Sequence, residues 1–76
     1  MEVLCKYTAS NSYKVRDARG VHFLIPMEGR GAQEVRRPLG GTSWRYMNWA
    51  RTEKFREQLR SMDLSKITED KRSHYF

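Results

Sequence analysis

The sequence predicts an α+β domain: a three-stranded antiparallel sheet followed by one long C-terminal helix, with room for a short second helix. Three observations lead there. Before Pro26, apolar and polar residues alternate, the period of half-buried strands. After Gly41, apolar residues recur at helical spacing, and neither glycine nor proline interrupts them. Between these regions lies a glycine-rich stretch without a clear period. The 76 residues allow one small domain, spanning 1–76. A chain this short hides only about 60% of its unfolded surface, so a second copy of the chain is a natural source of further burial.

The predicted meander occupies residues 3–26. Val3, Cys5 and Tyr7 alternate with Leu4, Lys6 and Thr8, which places the first three on one face of a strand. Ala9-Ser10-Asn11-Ser12 has turn chemistry, because Asn and Ser hydrogen-bond to nearby backbone. Tyr13-Lys14-Val15-Arg16 forms the second strand, with Tyr13 and Val15 on one face. Asp17-Ala18-Arg19-Gly20 is a four-residue hairpin turn, braced by Asp17 and ended by a left-handed Gly20. Val21, Phe23 and Ile25 face the core from the third strand, which Pro26 closes.

Residues 27–41 form a basic, glycine-rich loop carrying Arg30, Arg36 and Arg37. Its length is at the edge of what compact domains tolerate without structure, and Gln33-Glu34-Val35-Arg36 is a candidate for an extra short strand. The helix is expected over 42–62, capped by Thr42 or Ser43. At about 100° per residue, Trp44, Met47, Phe55, Leu59 and Met62 make its core stripe. Arg45, Trp49, Arg56 and Arg60 lie opposite, with Tyr46, Glu53 and Glu57 beside them. Arg51 intrudes into the apolar stripe, either reaching its edge or pairing with an acid of a second copy. Residues 63–76 form a tail in which Leu64 and Ile67 supply the short second helix.

The charge is lopsided, with 15 Lys+Arg against 9 Asp+Glu and a formal net charge of +6. Residues 29–60 hold seven arginines and one lysine against three glutamates, so the excess is concentrated in the loop and helix. Arginine's planar fork suits phosphate and carboxylate. A basic stripe of this kind is the footprint expected for nucleic acid or an acidic protein surface. The bland alternative is charge that merely keeps a small protein dispersed.

Catalysis finds little support. Cys5 and His22 lie on different predicted strands, and Cys5 reads best as a small core hydrophobe. Neither histidine has a second ligand at helical or hairpin spacing, so no metal site and no cofactor are expected. Gly29-Arg30-Gly31 and Gly40-Gly41-Thr42-Ser43 lack the Gly-Lys-Ser/Thr ending of a phosphate loop. A lone cysteine, an acidic residue near the start and no long apolar run predict a cytoplasmic chain that does not enter a membrane.

Tyr13-Lys14-Val15-Arg16-Asp17, with Gly20 and Phe23-Leu24-Ile25-Pro26, resembles the strand–turn–strand of arm-type DNA-binding domains in tyrosine recombinases. The likeness spans about fourteen residues of a common hairpin pattern. A long segment before Ser43-Trp44-Arg45 departs from it, so it is no assignment to that family.

The expected function is therefore non-enzymatic binding of DNA or RNA. Arg36, Arg37, Arg45, Tyr46, Trp49, Arg56 and Arg60 are the contact residues. The alternative is a small regulator or inhibitor, of the kind viruses and mobile elements encode, that binds a host protein through the same Trp, Tyr and Arg residues. A homodimer is compatible with both.

Overall fold

A computed structural model describes residues 1–36 and 43–72. Among them are six strands and one helix in the order β1 (Glu2–Tyr7), β2 (Ser12–Arg16), β3 (His22–Pro26), β4 (Gln33–Arg36), β5 (Ser43–Tyr46), α1 (Trp49–Ser61) and β6 (Glu69–Asp70). All six strands join one sheet, ordered β5-β4-β3-β2-β1-β6. Neighbours are antiparallel except β1 and β6, which run parallel. The expected three-stranded sheet is therefore wrong; the sheet is mixed and six-stranded.

The central meander follows the alternation. Tyr13 pairs with Ile25 and Val15 with Phe23, and all four side chains are buried. The hairpin turn between them is built as its residues dictate. Asp17 Oδ1 accepts hydrogen bonds from the N–H groups of Val21 and Arg19, both at 2.9 Å. These bonds, that from Val21 foremost, hold the Asp17 carboxyl below its ordinary range. Gly20 takes φ +84°, a conformation that side-chain-bearing residues rarely adopt. Asn11, at φ 49°, makes the other turn.

Strand β1 departs from its predicted pattern. A bulge between Val3 and Cys5 shifts the register, so Val3 faces Val15 while Cys5 faces Lys14. An extra residue reverses which side chains point to which face. Lys6 consequently lies beside Tyr13, its ammonium 5.5 Å from the ring centroid. Cys5 and Tyr7 move to the opposite face from Val3.

Of the candidate loop, Gln33–Arg36 does form a strand. The expected helix start does not form. Ser43–Tyr46 is β5, pairing with β4 through Arg36↔Ser43, Val35↔Trp44, Glu34↔Arg45 and Gln33↔Tyr46. Tryptophan and tyrosine favour extended backbone, and β4 offers this segment a ladder. The helix begins at Trp49 and is capped by Asn48, whose Oδ1 accepts the Arg51 N–H at 2.8 Å. Ser43 is thus no cap, and Thr42 lies outside the described residues. No second helix occurs among the described residues. Instead Asp63 caps a turn at Ser65, and β6 docks on β1 through Lys6 N–H to Thr68 C=O and Thr8 N–H to Asp70 C=O.

The helix packs on β3 over Val15, Phe23, Ile25 and Leu59, all fully buried. The rings of Phe23 and Phe55 meet at 5.0 Å, tilted by 40°. Arg51, the misfit of the apolar stripe, lays its guanidinium 5.3 Å from the Phe23 ring centroid. Met62, expected in the core, is exposed. No described helix is long and apolar enough to cross a membrane.

Candidate nucleic-acid interface

The residues expected to share one helix face divide into three environments. Arg45 and Tyr46 sit on the edge strand β5, Trp49 opens the helix, and Arg60 lies in its last turn. All four are exposed. Tyr46 is 63% accessible and Trp49 58%, the two largest exposures among the bulky apolar side chains described. They are three residues apart, so their Cα atoms lie within roughly 11 Å by chain reach. Arg36 ends β4, and its side chain, like the whole of Arg37, lies outside the described structure.

Arg56 is the exception. It is 3% exposed and turned inward, where it binds the segment joining β3 to β4. Nε donates to the Pro26 carbonyl at 2.7 Å, and Nη2 donates to the carbonyls of Arg30 at 2.6 Å and Gly29 at 3.4 Å. Nη1 donates to Glu53 Oε1 at 2.7 Å. The planar fork can reach three carbonyls and a carboxylate together, which an ammonium group cannot. With its donors engaged, Arg56 offers nothing to a phosphate. It is a clamp.

The same segment is held at two further points. Thr52 Oγ1 accepts the Ala32 N–H at 2.9 Å and donates to the Asn48 carbonyl at 3.0 Å. The Met47 N–H donates to the Ala32 carbonyl at 2.8 Å. Gly31 runs so close to the helix start that an added Cβ would stand 3.4 Å from the Met47 carbonyl oxygen. Residues 27–32, expected as part of a basic, glycine-rich loop, are therefore fastened to α1.

The clamp also fixes Trp49. The Arg56 guanidinium carbon lies 5.0 Å from the Trp49 ring centroid, in cation–π contact with one face of the indole. Arg30, exposed and absent from the contact residues read from the sequence, carries the carbonyl that Arg56 Nη2 binds beside this contact. The flanking glycines of Gly29-Arg30-Gly31 marked a tight segment but not its docking. Acids moderate the local charge. Arg45 pairs with Glu34 at 3.3 Å, while Glu53 is engaged with Arg56, and exposed Glu28 lies near Arg30 in sequence.

The helix start makes a poor anion site. Asn48 caps it, and its first turn lies seven residues beyond the predicted one. Among the described residues, no group of three His, Cys, Asp or Glu is placed to hold a metal ion. The Cys5–Tyr7 neighbourhood is a packed polar contact. Burial, with a hydrogen bond to Cys5, pushes the Tyr7 phenol up to about 12.

Comparison with models of known protein families, with curated proteins and with solved structures finds no match to this chain.

Proposed function

We propose that this is a non-enzymatic nucleic-acid-binding protein whose contact surface is the junction of β5 and α1. Tyr46 and Trp49 supply stacking faces there and Arg45 supplies charge, while Arg60, about 16 Å further along the helix, extends the charge, and Arg36 and Arg37 precede β5 in the sequence. The observation that supports it most is Trp49: a tryptophan 58% exposed yet pinned by a buried arginine. Leaving so large an apolar ring in water forgoes burial energy, while rigid mounting lowers the ordering cost of binding. The net charge of +6 favours a polyanion as the occupant.

A second reading has its own support. Arg45 is matched by Glu34, and exposed aromatic and arginine residues suit a protein–protein hot spot. Under it the chain is a small regulator bound to an acidic host-protein surface.

Titration of labelled random oligonucleotides at low and moderate salt separates the two. Nucleic-acid binding predicts affinity that falls steeply with salt, and Arg45→Ala or Arg60→Ala reduces the log–log slope by about one each. No binding at low salt ends the nucleic-acid proposal and promotes the protein partner.

A further inference from the structure

Resting on the nucleic-acid reading above, we infer that the free face of Trp49 receives one unpaired base of a single strand while Arg30 takes an adjoining phosphate. The occupied face of the indole sets this stoichiometry. Arg56 covers one side of the ring, so bases cannot sandwich it from both. One face remains, and Trp49's exposure leaves it open to the surroundings.

The same arrangement selects the ligand. A lysine, arginine or quaternary ammonium group stacking on the free face would meet the Arg56 charge through the ring, whose electrons are already drawn toward that cation. A flat, uncharged aromatic surface meets no such penalty. Base faces have this character, and they are available for stacking only where the base is unpaired.

Arg30 completes the site by position. Its carbonyl is bonded to the Arg56 nitrogen next to the stacked ring, so its Cα lies within roughly 11 Å of the Trp49 centroid by covalent geometry. An arginine side chain spans much of that distance. Among the described residues the Arg30 guanidinium has no acidic partner, whereas Arg45 pairs with Glu34 and Arg56 with Glu53. Arg56 is a positioning residue: it orients the indole and fixes the backbone that carries Arg30. Glu28 and Glu53 are the nearby acids, and Glu53 is held by Arg56.

The test uses the full chain, a fluorescein-labelled oligothymidylate and a labelled duplex whose two ends are closed by base-free ethylene glycol linkers, so that it holds neither an unpaired base nor an open terminal base face. Anisotropy should show the single strand bound about tenfold or more tightly. Trp49→Ala should weaken single-strand binding about 10- to 100-fold and leave the closed duplex within about twofold. Arg30→Ala should lower the single-strand salt slope by about 0.7. If Trp49→Ala loses the fold, Trp49→Met keeps an apolar cover over Arg56 and should show the same selective loss. Equal, salt-dependent affinity for both probes, untouched by Trp49 variants that fold, would overturn this inference while leaving nucleic-acid binding standing. Absence of binding to either probe at low salt would remove both.

Discussion

Arg56 and Trp49, two turns apart on α1, form a stacked pair in which the buried member holds the exposed one: the guanidinium stands 5.0 Å from the indole centroid. Seven residues advance a helix by nearly two full turns, so the pair shares one line along its surface. The segment from Pro26 to Arg30 covers Arg56 and leaves Trp49 outside. One line of the helix thus serves both interior and surface.

Arg56→Ala should be the most damaging surface-coded substitution in the chain. It strands the Pro26 and Arg30 carbonyls and frees Glu53, with an expected loss of about 3 kcal/mol. A domain of this size holds only about 4–11 kcal/mol in total. Arg56→Lys should recover only part, because it cannot span the same carbonyls. Urea unfolding followed by tryptophan emission measures both; a loss under about 1 kcal/mol for the alanine variant would mean the clamp is dispensable.

Thr52→Val keeps the shape of a fully buried side chain and removes its hydroxyl. The Ala32 N–H then loses its acceptor inside the protein, which should cost about 1–3 kcal/mol. Amide exchange at Ala32 should quicken before that of Val15 or Phe23 in the sheet centre. Uniform exchange across all three would show that the 27–32 segment opens only with the whole domain.

The β6 edge should respond to acid. The Asp70 carboxyl is lowered from 3.8 to about 2, chiefly by the hydrogen bonds of the Arg72 side chain and then of its backbone N–H. A depressed carboxyl contributes stability above its unfolded value and loses it as pH falls through the folded one. The Lys6 and Thr8 amide resonances, which report β6 docking through their bonds to Thr68 and Asp70, should shift with a midpoint near 2. Asp70→Asn should abolish that transition. A midpoint near 4 would show that the contact with Arg72 does not persist in solution.

The sequence made the central meander legible because two independent signals agree there: period-two burial, and the turn chemistry of Asp17 and Gly20. The helix start misled for a definite reason. Over the few residues from Trp44 to Met47, a helical stripe cannot be told from a strand by spacing alone, and the glycines before them resemble a helix boundary. Asn48, a good capping residue directly before Trp49, was the available signal. Strand β6 has two residues and depends wholly on an edge supplied by β1, so no local pattern marks it. At the candidate site, exposure of Trp49 opposite the Phe55–Leu59 stripe was legible. The burial of Arg56 was not, since it depends on where a distant glycine-rich segment comes to rest.

The most direct test of the central claim is a proton–nitrogen correlation spectrum recorded while a short unlabelled oligothymidylate is added at low salt. The Trp49 indole N–H should shift most, with the backbone amides of Arg30, Arg45 and Tyr46, while those of Lys66 and Lys71 stay near their starting positions. Shifts centred on Lys66 and Lys71, with the Trp49 indole unmoved, would contradict it.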